Sequence, residues 1–174
     1  ITLARRGFID HSDSLGASAR FGEGDVQWMT AGSGIVHSEM FPLIHQDSGN
    51  PAELFQVWLN LPSRSKMADP YFTMYWSEQL LRRVVKDEQD RATEVVVVAG
   101  AYQGTKGQQP PPDSWASVDG SGVQIWTIEM AAGAHWTLPS TGPGLNRVLY
   151  FYEGTQLGID GVVVRENHAV QLRS

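Results

Sequence analysis

Short runs of β-branched and aromatic residues alternate with turn-forming residues along most of the chain, at a spacing of about ten positions. This rhythm is typical of an all-β sandwich or barrel. The predicted strands lie at residues 1–4, 7–11, 26–30, 34–40, 54–61, 94–99, 123–130, 134–138, 147–153, 157–159 and 162–164. Between residues 13 and 24, glycine-containing turns are suited to reversing an antiparallel ribbon, because glycine accepts a positive φ.

One segment, residues 77–86, predicts a helix instead of a strand. Ser77 is a suitable N-cap residue. The apolar residues of the segment share one stripe at helical spacing: Leu80, Leu81, Val84 and Val85. We expect this helix to bridge two β-domains rather than to form a core.

Residues 102–122 differ in composition from the rest of the chain. They are rich in Gly, Gln, Pro, Asp and Ser, and three consecutive prolines lie at 110–112, which predicts a long loop. Since alternation resumes after this loop, we predict two β-domains, residues 1–90 and 91–174. Both ends lie next to strand-like runs, and Ile1 is not a methionine, so we expect a piece of a longer polypeptide with incomplete terminal domains.

Composition narrows the classes of function. The 174 residues carry a net charge of −6, which offers no basic field for a phosphate backbone, so a direct nucleic-acid ligand is not expected. The longest apolar run, 95–99, is far shorter than the ~20 residues of a membrane span, and no secretion signal is predicted. Because cysteine is absent, any metal must be bound through nitrogen and oxygen.

The sharpest local feature is a His-x-Glu pair within residues 34–40. On a strand, His37 and Glu39 project to the same face. An imidazole and a carboxylate aimed at one point can supply two ligands of a mononuclear iron, nickel, copper or zinc site. A solvated strand face, or a histidine satisfied by a neighbour, explains the same spacing.

Other residues near this pair have two interpretations. Trp28, Phe55 and Trp58 are suited either to a hydrophobic core or to the floor of a pocket for a flat ligand. Asp25 is expected to bond nearby backbone amides in a turn rather than to join a metal site. Gly32 and Gly34 predict a bulge that re-aims His37.

Residues 24–40, GDVQWMTAGSGIVHSEM, resemble the signature of the pirin family almost residue for residue. Further segments resemble other landmarks of that family: 11–16, 55–62, 66–67, 70–71, 97–100 and 149–154. The resemblance implies an all-β bicupin, that is, cupin-type β-barrels in tandem. The N-terminal barrel would be residues 1–90, and the C-terminal barrel 91–174 would be partial, with the Pro/Gly-rich loop near 102–122.

The resemblance also implies a metal site. Pirins hold one metal ion through three histidines and one glutamate, and His37 and Glu39 match the last two of these ligands. The family's preceding His-x-His motif has no counterpart in this chain, and His11 resembles a pirin histidine that is not a ligand. The implied cofactor is one divalent metal ion, iron (Fe²⁺) first, with nickel, copper or zinc as alternatives, or no metal in a chain without the upstream ligands.

Three functions follow from the resemblance. In the first, a quercetin (flavonol) 2,3-dioxygenase binds a flat aromatic substrate and uses Glu39 as both ligand and general base. In the second, a metal- or redox-dependent transcriptional coregulator binds a regulatory protein without turnover. The third is a metal-free structural bicupin. A cytoplasmic protein is expected, or a nuclear one in a eukaryote, with neither nucleic acid nor membrane as a direct partner.

Overall fold

The computed structural model describes residues 1–173, which form sixteen strands and three 3-10 helices of three residues each. The predicted all-β class is therefore confirmed. None of the helical elements in these residues is long enough to cross a membrane. The strands are β1 Thr2–Arg6, β2 Phe8–Asp13, β3 Ser18–Gly22, β4 Val26–Thr30, β5 His37–Met40, β6 Glu53–Gln56, β7 Tyr71–Tyr75, β8 Leu81–Lys86, β9 Ala92–Ala99, β10 Ala101–Tyr102, β11 Thr105–Lys106, β12 Ile125–Met130, β13 Arg147–Phe151, β14 Gln156–Ile159, β15 Val162–Arg165 and β16 His168–Leu172. The 3-10 helices are Ser63–Ser65, Ser77–Gln79 and Trp115–Ser117.

The chain divides into two compact units. The first, Ile1–Trp136, contains three larger sheets with the strand orders β6-β1-β4-β7, β3-β2-β5 and β12-β9-β8, together with the β10-β11 pair. The second begins at Thr137 and contains the antiparallel pairs β13-β16 and β14-β15. The predicted pair of cupin domains, 1–90 and 91–174, stays a prediction.

Strand β9 forms the centre of its sheet and is buried on both faces. Val95 and Val97 pack into one hydrophobic cluster with Tyr102, whereas Val96 and Val98 pack into another with Trp28. Because successive side chains of a strand point to opposite faces, a continuous apolar run is what a strand between two cores requires. This run therefore marks a buried strand rather than a half-exposed one.

A smaller cluster supports the hairpin of β2 and β3. Ile9 lies directly opposite Phe21 in the ladder, and both side chains are buried together with Ala4. Partly buried apolar residues surround these three: Ala19, Leu54, Met74 and Trp76. Because Ile9 packs into this cluster, its face of β2 is the buried one, and His11, two positions further on, lies on the same face.

The predicted helix at residues 77–86 is wrong. Ser77–Gln79 form one 3-10 turn, and Leu81–Lys86 form β8, which pairs antiparallel with β9. Burial alternates along β8, so that Val84 is 59% exposed while Val85 is partly buried against the cluster of Val95, Val97 and Tyr102. The apolar positions also fit a helical stripe. However, β-branched residues prefer strands, and one edge of β9 is available for pairing with this segment.

The aromatic residues separate into core and surface. Trp28 is 2% exposed and meets Tyr75 edge-on, with ring centroids 6.0 Å apart, and Phe55 packs at the margin of the same cluster. Trp58 is 90% exposed, so of its two interpretations the core one is wrong. The predicted strand 54–61 ends at Gln56, and Trp58 lies beyond the ladder that would have fixed its direction.

The remaining differences from the predicted elements have local causes. The segment 102–122 contains β11 and a 3-10 helix capped by Ser114, and Pro111 is fully buried, so it is not a plain loop. Residues 134–138 form no strand. The sequence predicts no strand at the positions of β3, β7 and β10, whereas the strand-like run at its C-terminal end corresponds to β16. Asp25 accepts hydrogen bonds from the backbone N–H groups of Gly22 and Ser77, at 3.0 and 2.8 Å, as its turn role predicts.

Asp87 closes the turn between β8 and β9 and makes the stability of this turn pH-dependent. Its carboxylate accepts hydrogen bonds from the backbone N–H groups of Gln89, Arg91 and His135 and from the Arg91 guanidinium. Burial alone would raise the pKa of Asp87, but these hydrogen bonds outweigh burial and hold the pKa well below its ordinary value.

We therefore expect Asp87→Asn to reduce the loss of the free energy of unfolding that occurs as the pH falls. A lowered pKa stabilises the fold above the unfolded-state pKa of about 3.9, and this contribution is lost as the pH falls through the folded-state value. Urea unfolding at pH 5 and at about pH 2 should show a smaller loss for Asp87→Asn than for wild type. Asp119→Asn, an exposed control, should retain the wild-type slope; equal slopes in all three proteins would contradict this role.

Candidate functional site

The candidate site lies on the ladder between β2 and β5. The antiparallel register sets His11 opposite Glu39 and Asp13 opposite His37. Residues two apart on a strand share a face, and directly opposed residues across a ladder share it too. These four side chains therefore project to the same side of the sheet, and His37 and Glu39 point the same way, as their spacing predicts.

His37 and Glu39 differ in exposure. His37 is exposed, whereas the side chain of Glu39 is 17% exposed. In the described part of the chain, β5 ends the sheet order β3-β2-β5 and has no partner strand on its outer side. The His37 imidazole is therefore accessible to ligands, whereas the Glu39 carboxylate is partly shielded from solvent.

A tight turn sets the start of β5. The N–H of Gly34 donates to the carbonyl of Ala31 at 2.9 Å, and the N–H of Ser33 donates to the carbonyl of Ala68 at 2.8 Å. Gly32 has a φ of +53°, and a Cβ there would lie 2.1 Å from the Ala68 carbonyl oxygen, so only glycine fits. The structure thus has a turn where a bulge at Gly32 and Gly34 was predicted, and the strand begins at His37 rather than at residue 34.

His11 lies at the centre of the group and is buried. Its Nε2 is 3.1 Å from Oδ2 of Asp13, and its Nδ1 is 3.9 Å from Oε1 of Glu39. Nδ1 is buried without a hydrogen-bond partner among the described residues. The ring also stacks with Phe72 and with His37, at centroid distances of 4.8 and 5.6 Å.

Asp13 anchors this arrangement. Its Oδ1 accepts the backbone N–H groups of Leu15 and Ala17, at 2.9 and 3.1 Å, and its Oδ2 faces His11. Burial would raise the pKa of Asp13, but the hydrogen bonds from His11, Leu15 and Ala17 prevail and lower it. Asp13 therefore stays a carboxylate and ties the β2–β3 turn to the imidazole.

The donor chemistry fits a divalent metal ion, although the number of donors is small. His37 and Glu39 supply one nitrogen and one carboxylate ligand, and the unpartnered Nδ1 of His11 lies beside them. Such ions accept nitrogen and oxygen ligands. Within residues 1–173, no cluster of three or more His, Asp or Glu side chains has the geometry to hold a metal. Metal binding by His37 and Glu39 stays a prediction.

The other histidines lie away from this group in the chain and make local contacts. His45 is exposed in a loop, where its backbone bonds to the Asn50 side chain, as predicted for a surface position. His135 is exposed and donates its backbone N–H to Asp87. His168 is exposed at the start of β16, where its ring lies 3.0 Å from the Glu166 carbonyl.

Comparisons with known proteins agree with this fold and motif. A family model described as Pirin matches residues 1–59. The Pseudomonas aeruginosa protein named "Putative quercetin 2,3-dioxygenase PA2418" is 34% identical over 166 residues, which cover 95% of this chain and 54% of that protein. A pirin-like protein of Caulobacter vibrioides is 34% identical over 155 residues, covering 88% of this chain and 50% of that protein. This chain thus spans about half the length of these curated relatives.

Solved structures show the same fold. The crystal structure of GK1651 from Geobacillus kaustophilus matches with a TM-score of 0.66 and 26% identity, covering 99% of this chain and 62% of that one. A quercetin 2,3-dioxygenase from Acinetobacter baumannii matches with a TM-score of 0.66 and 24% identity, covering 98% and 55%. These likenesses define the class as all-β proteins of the cupin type. The chain belongs to the pirin family within the cupin superfamily.

Reasoning from the sequence underestimated His11 and Asp13. They lie two positions apart on a strand, which is the same signal that marks His37 and Glu39. Only the β2–β5 register shows that the two pairs face each other. Phe72, which stacks with His11, comes from β7 and carries no signal of this contact in the sequence.

Proposed function

We propose that this chain carries the metal site of a pirin-type cupin protein, with one divalent ion, iron first, held by His37 and Glu39. We further propose that the whole protein is a quercetin (flavonol) 2,3-dioxygenase. The β2–β5 register carries the proposal, because it sets an imidazole and a carboxylate on one face of the sheet. The name of the Pseudomonas aeruginosa relative supports the substrate class.

The two site residues have separate roles in this proposal. A bound metal ion supplies Lewis acidity toward a deprotonated flavonol oxygen. Glu39 accepts the proton of the flavonol hydroxyl as general base, and its partial shielding limits competition from water. His37 provides a nitrogen ligand at the exposed margin of the sheet, where a flat aromatic substrate has access. Coordination positions that protein ligands do not occupy are open to such a substrate.

One observation favours a second function, a metal-dependent binding module for a regulatory protein. Four large apolar side chains around β5 are exposed: Val36, Met40, Phe41 and Leu43. A run of exposed apolar residues beside a metal site is suited to contact with a protein partner. In this alternative the metal tunes the charge of the surface, and no substrate is turned over.

Oxygen consumption with quercetin tests the enzymatic proposal. We expect the Fe²⁺-loaded protein to consume oxygen, and Glu39→Gln to lower the rate by about 10²–10⁴-fold, because an amide cannot act as the base. Glu88→Gln replaces an exposed glutamate in the β8–β9 turn and should retain the wild-type rate.

The outcomes separate the candidate functions. Metal bound at one ion per chain, without oxygen consumption, would refute the dioxygenase and favour the binding module. If elemental analysis finds no metal after loading and desalting, both metal-dependent functions are refuted. The metal-free structural bicupin is then the remaining candidate.

A further inference from the structure

Gln27 is a buried polar side chain whose hydrogen bonds are incomplete. It lies on β4 and is 2% exposed. Its Oε1 accepts from the Thr2 hydroxyl at 3.4 Å, which is long for such a bond. Its Nε2 is buried without a hydrogen-bond partner among the described residues. If the two ends of the amide were exchanged, the oxygen would be the unpartnered atom instead, so one polar end stays unsatisfied in either orientation.

The ladders of β4 set the direction of this side chain. Gln27 lies opposite Thr2 of β1 and opposite Met74 of β7, and Met29 lies opposite Phe72. Directly opposed residues share a face of the sheet, and so do residues two apart on a strand. These five side chains therefore belong to one face of the sheet β6-β1-β4-β7, which we call the inner face.

The inner face packs against the strand that carries His11. The Phe72 ring stacks with the His11 ring at a centroid distance of 4.8 Å, and Met74 packs against the cluster that contains Ile9. The β2–β5 ladder places the proposed metal ligands on the His11 side of their own sheet. Gln27 therefore faces the interior into which those ligands project.

The inner face has the composition of a site for a flat, hydroxylated ligand. Met29 and Phe72 are only partly buried, and they offer apolar surface, whereas Gln27 lies deeper. An apolar wall with a few placed polar groups is typical of small-molecule sites. Because methionine is unbranched and adaptable, movement of Met29 can uncover the amide. A phenolic hydroxyl both donates and accepts, as an amide does, so the two groups pair in either orientation of the amide.

We propose that Gln27 is a specificity-determining residue, whose amide binds a phenolic hydroxyl of the flavonol on the inner face. This inference rests on the proposed dioxygenase function, which supplies its ligand. A buried water that satisfies the amide is the competing explanation. The two explanations differ in the free protein, because an amide satisfied by water contributes to stability and an unsatisfied one costs stability.

Urea unfolding of the metal-free protein separates these explanations. Gln27→Met keeps the length of the side chain and removes its polar atoms. Since loss of an unsatisfied polar group removes a desolvation cost, we expect the urea midpoint to be unchanged or higher. Gln124→Met makes the same change at an exposed position and should leave the midpoint unchanged. A lower midpoint in Gln27→Met than in this control would overturn the inference.

Binding of quercetin, titrated with dioxygen excluded and followed by its visible absorption, tests the contact itself. In the Fe²⁺-loaded protein we expect Gln27→Met to weaken quercetin binding by about 10-fold, which is the usual contribution of one hydrogen bond. Flavone, which has the same ring system without hydroxyl groups, should bind to Gln27→Met as it binds to wild type. Gln124→Met should bind both compounds with wild-type affinity.

The outcomes distinguish this inference from the proposed function. Equal quercetin affinity in wild type and Gln27→Met overturns the role of Gln27 and leaves the dioxygenase standing. An equal loss of affinity for quercetin and for flavone shows that shape was lost rather than a hydrogen bond, which also overturns it. Absence of quercetin binding by the wild-type protein refutes the flavonol as the substrate and the role of Gln27 with it.

Discussion

Replacing His37 by alanine is expected to abolish detectable Co²⁺ binding while changing the free energy of unfolding by no more than about 0.5 kcal/mol. His37 is exposed on the outermost strand of its sheet, so the side chain contributes little to a core. In the proposed site it supplies one of two protein ligands, and a single carboxylate binds a transition metal weakly. Visible absorption of bound Co²⁺ and urea unfolding measure the two effects.

His45→Ala is the matched control, because it removes an exposed histidine from a loop that lies outside the β2–β5 ladder. It should bind Co²⁺ with wild-type affinity and stoichiometry. Retained stoichiometry in His37→Ala would show that another residue is the nitrogen ligand. A large loss of stability in that variant would show instead that the stacking of His37 on His11, at 5.6 Å, supports the fold.

The all-β class was predictable because it depends on a statistical property of the whole chain. Apolar runs bounded by glycine and proline recur regardless of the pairing partners. The resemblance of residues 24–40 to pirins was also specific, and the matched family model confirms it. Properties that depend on the partner of each strand are harder to predict from the sequence. Trp28 and Trp58 have similar sequence surroundings, yet only Trp28 lies in a paired strand and is buried.

The segment 77–86 shows why periodicity alone was insufficient. The apolar residues at positions 80, 81, 84 and 85 satisfy a helical stripe, whereas residues 81–86 do not alternate between apolar and polar in sequence, and only their burial alternates in the structure. Pairing with β9 makes this segment a strand, because β9 offers backbone hydrogen bonds along the whole length of β8. A long-range pairing of this kind is absent from any local window, so the sequence could not decide it.

The same limitation explains the incomplete prediction of the site. The spacing of His37 and Glu39 is local and predicts a shared face. The burial of His11 and the approach of its Nδ1 to Glu39 depend on the register between β2 and β5. Ile9 lies two positions before His11 on the same face of β2, and its packing against Phe21 fixes which face of β2 is turned toward the core.

Phe21→Ala is therefore expected to destabilise the first unit by about 3–5 kcal/mol, the usual loss for a fully buried phenylalanine. The Phe21 side chain is 1% exposed and lies in the cluster with Ala4 and Ile9. The protein has six tryptophans, at positions 28, 58, 76, 115, 126 and 136, and all of them lie in the first unit, Ile1–Trp136. Tryptophan fluorescence during urea unfolding therefore reports on that unit.

Phe41→Ala removes the same aromatic ring from a side chain that is 48% exposed, and it should cost less than about 1 kcal/mol. A similar loss in both variants would show that Phe21 does not support the β2–β3 hairpin as a core residue. If the cluster fixes the register, Phe21→Ala should also increase amide hydrogen exchange at the pairs His11–Glu39 and Asp13–His37 more than in β8 and β9. A slipped register would separate the four side chains of the site, because each residue moved by one position turns to the other face.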